Sequence, residues 1–353
     1  MKNRKLMQLF ICIILSATLL TSCAPEALIP EPQTQAQSFY EYFDTVSVVI
    51  SYKGDPASEF KANCDAVSEL LKEYHQLFDI YYEYADVNNI KTVNKNAGKE
   101  AVKVDRKLID FLLYCKEIYA LTNGETNIAM GAVLKLWHNA RENATDDPEN
   151  AYIPSPEQLE SAAAHTDISS IVINEAECTV YITDPEASID VGAIGKGYAT
   201  EKTAEMLIAR GADSYVLNFG GNIKAIGSKV NGNGWVTGIT NPDKTSDKSF
   251  VCKVDIKNTS LVTSGDYERF FTVDGEKYHH IIDKDTCLPA KHFTSVSVFT
   301  LNSALADALS TTLFCMSYED GLALLNTIGG IDAIWVLPDG TVKMTDGVVL
   351  VNE

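Results

Sequence analysis

Cys-x-x-Cys pairs are missing from this 353-residue chain, so its eight cysteines do not read as a structural zinc site. Cys64, Cys115, Cys178, Cys252, Cys287 and Cys315 are widely scattered and are expected to be mostly free, buried thiols. Positive charge is scarce. The chain has 29 Lys and Arg against 48 Asp and Glu, a net charge of −19. Such a surface repels nucleic acid and anionic lipid head groups, and an anionic ligand then depends on a local metal or cationic site. Beyond the N-terminal segment there is no apolar run of the roughly 18 residues that suggests a membrane helix. Internal repeats are absent. So is regular strand–helix alternation, which disfavours a doubly wound parallel sheet.

What is present begins at the N-terminus. Lys2, Arg4 and Lys5 precede Leu6–Leu20, an apolar stretch of 15 residues. That is short for a membrane span and suits the core of a secretory signal. Leu20-Thr21-Ser22-Cys23 resembles the lipobox of bacterial lipoproteins, which implies cleavage before Cys23 and lipidation of that cysteine. Residues 1–22 are therefore expected to be a signal peptide. Residues 23–39, with Pro25, Pro30 and Pro32, read as a flexible tether. Residues 40–353 read as the globular unit, exported and anchored on the outer face of the bacterial cell membrane.

Within that unit, FDTVSVVIS (43–51) reads as a strand. Helical periodicity covers 56–78, 107–122, 196–210, 303–316 and 318–328. A short helix over 131–137 is followed by a polar loop over 139–156, then another short helix over 156–164. Strands are expected at 170–174, 179–183, 214–219, 235–240, 249–256, 260–263, 270–273, 279–282, 295–300, 333–337, 342–345 and 348–351.

Four constellations carry chemistry. Asp190-Val-Gly-Ala-Ile-Gly-Lys-Gly-Tyr198 lies between a strand and a helix, where glycines admit a ligand close to the backbone and a helix N-terminus offers free N–H groups to phosphate. It is neither a Walker A loop nor a dinucleotide G-x-G-x-x-G, because no Ser or Thr follows Lys196 and position 200 is Thr. A plain glycine-rich turn is the competing reading. Asp307, Ser310 and Thr311 fall at i, i+3 and i+4 on an otherwise apolar helix, so they form one polar stripe. Hard oxygen donors of this kind suit Mg²⁺. The alternative is an exposed stripe or back-bonding hydroxyls. Thr263-Ser-Gly-Asp-Tyr267 with Tyr278-His-His-Ile-Ile-Asp283 offers a small turn against a nucleotide and a histidine base. His279 and His280 alternate in face, so at most one of them enters a site. Gly220-Gly221-Asn222 is a fourth place for close backbone approach.

These motifs, with Asn218–Asn222 and His280–Asp283, resemble the ApbE-like FAD:protein FMN transferases in order and spacing, from about Phe43 to the end. The resemblance implies an α+β fold of mixed and antiparallel sheets with packed helices, related to the T-fold, in a single catalytic unit. It implies Mg²⁺ held by Asp307, Thr311, Ser310 and the backbone oxygen of Ala193. It implies FAD contacts at Phe43, Tyr81, Glu125, Thr126, Asn127, Asp190, Lys196, Ser264, Gly265 and Ile282, with Tyr82 or Tyr84 as alternatives to Tyr81. His280 matches the base.

The implied reaction moves the FMN half of FAD onto a Thr or Ser hydroxyl of a partner protein and releases AMP. The partner would be a membrane redox subunit or an extracytoplasmic flavoprotein. Two other readings stay open: an FAD pyrophosphatase and a non-catalytic FAD-binding lipoprotein. The chain departs from the family pattern at Phe43-Asp-Thr45, at Thr126-Asn127 and at Asp283-Lys-Asp-Thr-Cys287.

Overall fold

A computed structural model of the chain describes residues 34–351. The expected signal, Cys23 and most of the expected tether lie outside the described residues. The tether ends earlier than position 39. Gln35–Phe39 is strand β1 and pairs antiparallel with β2, Ser47–Ser51. The last proline before it is Pro32, so every residue of β1 has an N–H to donate. β2 is shorter than expected. Phe43 and Asp44 take φ angles of 56° and 49° and turn the chain before it.

Helices α1 (Ala57–Phe78), α2 (Ile90–Lys95) and α3 (Arg106–Leu121) follow, with β3 (Val102–Lys103) between the last two. α4 runs over Gly131–Asp146 and does not stop at Trp137. Its buried residues include Val133, Trp137 and Ala140, an apolar stripe at helical spacing. The polar run 139–146, expected to be a loop, is largely the exposed side of that helix. α5 is Pro156–Ala163, closed by a Ser155–Gln158 capping box. β4 (Ile171–Asn174) and β5 (Thr179–Ile182) join β3 in a small sheet. α6 spans Gly195–Ala209.

β6 (Ser214–Phe219) and β7 (Asn222–Gly227) form a hairpin whose turn is Gly220-Gly221, both at positive φ. β7 was not expected from the sequence. A methyl on Gly220 would collide with Thr45, so this glycine serves the turn and its packing. β8 (Trp235–Thr240) and β9 (Phe250–Ile256) make a second hairpin. β10 (Ser260–Gly265) precedes a third, β11 (Phe270–Val273) with β12 (Glu276–His279). Asp274 and Gly275, both at positive φ, set its register. The strand therefore ends at His279 and does not begin there. β13 (Ser295–Thr300), α7 (Ser303–Cys315), α8 (Tyr318–Ile328), β14 (Asp332–Val336) and β15 (Val342–Met344) complete the fold. The segment 348–351 contributes only an isolated bridge, Val254 to Leu350, in place of the expected strand.

Eight strands build one antiparallel sheet in the order β1-β2-β6-β7-β10-β13-β14-β15. Strand alternation divides its side chains. Tyr215, Leu217 and Phe219 join the core containing α1 and α6, while Val216 joins Trp235, Ile239 and Val254 of the β8–β9 hairpin. α7 lies over β10 and β13, packing Leu309 and Leu313 with Val262, Val296 and Val298. The architecture is the expected α+β arrangement. The six cysteines of the described residues are free thiols. Among the described residues, no helix is long and apolar enough to cross a membrane.

Candidate active site

The site forms where α6 begins, α7 passes and β10 ends. Asn302 caps α7 by accepting from the Leu305 N–H, which fixes the start of that helix. One face of α7 then presents Asp307, Ser310 and Thr311. Asp307 is buried, and its Oδ2 accepts a 2.7 Å hydrogen bond from the Gly197 N–H. Burial pushes its carboxyl up from the usual range, while Lys196 and the Gly197 N–H oppose that shift. Helices α6 and α7 meet so closely that a methyl on Gly197 would stand 2.3 Å from Asp307 Cβ. The third glycine of the loop thus serves helix packing.

Ser264, near the end of β10, meets this face. Its Oγ lies 2.7 Å from Ser310 Oγ and 3.3 Å from Thr311 Oγ1. Ser310 donates to the Asp307 carbonyl at 2.9 Å, so it accepts from Ser264, and Ser264 in turn accepts from Thr311. Ser310 is fully buried and Thr311 half-buried. Gly265 ends β10, packed under the Tyr267 ring. Ala193 precedes the α6 cap, and its carbonyl takes no hydrogen bond among the described residues.

Asp190 leads into this loop. Its Oδ1 accepts from the Gly192 N–H at 2.8 Å, and burial raises its carboxyl. Beside it stands Tyr81, half-exposed, with its ring 4.9 Å from that of His138. Burial and the Asp190 charge push the Tyr81 phenol up to about 12. Asp79 Oδ1 accepts from the Tyr81 and Tyr82 N–H groups and holds the turn. Tyr84 points elsewhere, donating to Asp79 Oδ2 at 2.6 Å. Tyr82 is 70% exposed. Phe43 lies farther along the same edge, its N–H donating to His75 Nδ1 at 3.3 Å.

The two histidines divide their roles. His279 is buried, accepts from the Ile281 N–H and donates through Nε2 to the Ala290 carbonyl at 2.8 Å. Both of its nitrogens are spent on structure. His280 has an accessible ring, and its Nδ1 lies 3.2 Å from the Arg269 carbonyl. That acceptor requires a proton on Nδ1, which leaves the Nε2 lone pair available. The surrounding protein, then the charges of Arg269 and Lys196, hold its imidazolium down to about 3.

The other expected contacts fall in a neighbouring cleft. Glu125 approaches Lys284 at 3.3 Å, and burial raises its carboxyl. Glu125, Asp283 and Cys315 line a concavity of about 540 Å³, and the Ile282 carbonyl accepts from the Cys315 thiol. Thr126 is buried, with its hydroxyl 2.6 Å from Thr312 Oγ1. Asn127 spends its side chain on Thr166 and Ala129. These two side chains pin the loop to α7, to the Thr166 carbonyl and to its own backbone, so a ligand there would meet the loop's backbone. A second concavity, about 300 Å³ between Tyr114 and Tyr198, contains none of these residues.

His138, Arg141 and Arg269 also border the site and were not anticipated from the sequence. His138 and Arg141 follow Trp137 on α4, so extending that helix through the polar run would have placed them on neighbouring faces.

The buried Asp307 carboxylate, the Ser264, Ser310 and Thr311 hydroxyls and the start of α6 thus meet in one cleft of an α+β fold. The chain belongs to the ApbE family, which its residues 44–335 match. It is similar to the FAD:protein FMN transferase of Treponema pallidum, 34% identical over 319 residues, covering 86% of this chain and 85% of that protein. It is also similar to the FAD:protein FMN transferase of Klebsiella pneumoniae, 28% identical over 79% of this chain and 83% of that protein. The crystal structure of the ApbE protein from Thermotoga maritima superposes with a TM-score of 0.77 at 26% identity, covering 89% of this chain and 97% of that one. The flavin transferase ApbE of Vibrio cholerae shares the fold, with a TM-score of 0.73 at 23% identity and coverage of 89% and 96%.

Proposed function

We propose that this chain is an FAD:protein FMN transferase. The observation that carries this reading is the joint of Gly197, Asp307, Thr311 and Ser264 beside the Asp190 loop, in a chain whose curated relatives carry that activity in their names. FAD is the substrate. A Thr or Ser hydroxyl of a partner protein is the acceptor.

The donor set fits Mg²⁺. Among the described residues no three His, Cys, Asp or Glu side chains converge, so a protein-only metal cage is not built. One buried carboxylate, the Thr311 hydroxyl and the free Ala193 carbonyl are hard oxygens, and they suit an ion that shares phosphate oxygens with its substrate. Ser310, buried behind Thr311, orients the hydroxyl chain. When bound, Mg²⁺ supplies charge neutralisation for the pyrophosphate.

The residues of the chain do the rest. Lys196 and the start of α6 draw the phosphates into the cleft. Tyr81, against His138, offers a ring face to the flavin. His280 Nε2 takes the proton from the acceptor hydroxyl. The hydroxyl oxygen bonds to the FMN-side phosphorus as the bond to the bridging oxygen breaks, and AMP leaves with that oxygen. Residues 2–23 support export and a lipid anchor at Cys23, which would hold the enzyme against membrane-bound or extracytoplasmic acceptors.

The experiment combines the chain, FAD, Mg²⁺ and an acceptor domain, and then weighs the acceptor. The expected result is a gain of one FMN phosphoester, abolished by chelator and by Asp307→Asn. FAD bound without any gain would overturn the proposal. FMN and AMP released without acceptor would point to the hydrolase instead.

A further inference from the structure

Among the described residues, two arginines at the mouth of the site have no carboxylate partner, in a chain with a large excess of acid. Elsewhere, Arg106 is paired with Asp110 and Glu175, and Arg210 donates to Asn63. Among the described residues, Arg141, Arg269 and Lys196 form no ion pair. Arg141 projects from α4, and its Nη2 lies 3.0 Å from His138 Nδ1. His138 therefore accepts there and turns its Nε2–H to Glu142, 3.0 Å away. The same imidazole carries the Tyr81 ring. Arg269 stands just before β11, and its carbonyl receives both the N–H and the Nδ1–H of His280. Its charge reaches both Arg141 and His280. The carboxylates within reach, Asp190 and Glu142, make their contacts to the Gly192 N–H and to His138 instead.

Two like charges within range of each other, with the nearby carboxylates engaged elsewhere, are costly, and part of the water around Arg141 has been removed. An arriving anion would relieve both costs. Guanidinium groups match phosphate oxygens in paired hydrogen bonds. We propose that Arg141 and Arg269 form a guanidinium clamp for the FMN-side phosphate of FAD. This rests on the FAD reading above. The FMN-side phosphate is favoured because Arg269 holds His280, and the base must stand beside the oxygen that attacks that phosphorus. The backbone carbonyl at position 269 thus also positions His280, independently of the guanidinium. The clamp faces charge that grows during transfer, where prearranged donors act most strongly.

The test compares wild type, Arg141→Gln, Arg269→Gln and the two lysine variants. Binding of FAD and of riboflavin is measured by flavin fluorescence in chelator, so metal loading plays no part. Loss of one charge-assisted contact is expected to weaken FAD binding about ten-fold or more, with riboflavin affinity unchanged. The lysine variants keep the charge and lose the fork, so they fall between. The salt dependence of FAD binding flattens in the glutamine variants. Arg269→Gln also lowers kcat by removing the guanidinium from the reacting phosphate, while its backbone carbonyl still holds His280. If wild type transfers FMN and the glutamine variants bind FAD normally, the clamp is wrong and the transferase reading stands. A rise in KM for the acceptor with normal FAD binding would assign the arginines to the partner protein and overturn the clamp. Equal weakening of FAD and riboflavin would also overturn it. Wild type binding no FAD either in chelator or with Mg²⁺ present would sink both readings together.

Discussion

Replacing Gly197 with alanine tests the joint between α6 and α7. The new methyl would stand 2.3 Å from Asp307 Cβ and 2.5 Å from the Ser303 carbonyl oxygen. Neither atom is the free end of a flexible side chain. Ordinary contact begins at 3.4 Å, so the helices must part by about 1 Å. Overpacking of this kind costs about 1–3 kcal/mol. The better helix propensity of alanine offsets up to about 1 kcal/mol. The net loss is about 1–2 kcal/mol. At roughly 2.1 cal/mol/K of unfolding entropy per residue, a unit of this size loses only about 2–3 °C in Tm. Catalysis suffers more. The 2.7 Å bond from the Gly197 N–H to Asp307 Oδ2 opens, and misplacing a positioned group by about 1 Å can cost roughly 100-fold in rate. Gly195→Ala is the control, because its nearest neighbour, Phe78 Cδ2, is already at ordinary contact distance, 3.4 Å. Calorimetry measures Tm, and acceptor mass against time measures the rate. A Gly197→Ala protein that transfers FMN at the wild-type rate would refute the reasoning. Equal failure of both alanine variants would refute it too.

Two further outcomes follow from buried charge. Lys224 lies 3.1 Å from Glu201, with side chains only 6% and 13% exposed, and Glu201 also accepts from the Ser303 N–H at 2.6 Å. Lys224→Met strands that carboxylate and should destabilise by about 3–5 kcal/mol. Urea unfolding checks this, and adding Glu201→Met should restore part of the loss. An unchanged urea midpoint would mean the pair is not desolvated. His280 should stay neutral on acidification, so its ring NMR signals should remain flat from about pH 8 down to about pH 5, well below the ordinary histidine value of about 6.5. The folded chain then binds fewer protons than the unfolded chain below about pH 6.5, and His280 makes stability fall as pH falls through that range. A midpoint near 6.5 for this ring would contradict the cleft as described.

Local periodicity decided much of what the residues alone could reveal. The stripe of Asp307, Ser310 and Thr311 follows from helical spacing, which needs no tertiary information. The strands 214–219, 235–240, 270–273 and 295–300 were readable for the same reason, from runs of β-branched and aromatic residues. The order of these motifs was enough to suggest the family, because their spacing along the chain is itself the signal.

Tertiary structure decided the rest. Whether Gly197 meets a ligand or a helix depended on how close α7 comes, which no local pattern contains. Which histidine faces the cleft depended on the Asp274-Gly275 turn, since a hairpin's register is set at its turn. Arg141 was hidden in a polar run that looked like loop, because the exposed side of a helix and a loop have similar compositions. That the Arg269 charge, more than a hundred residues away in sequence, acts on it is a fact of packing. The apolar and oxygen-bearing positions of this protein were written in short-range periodicity. The assembly of its cations and the choice of its base exist only once the chain has closed on itself.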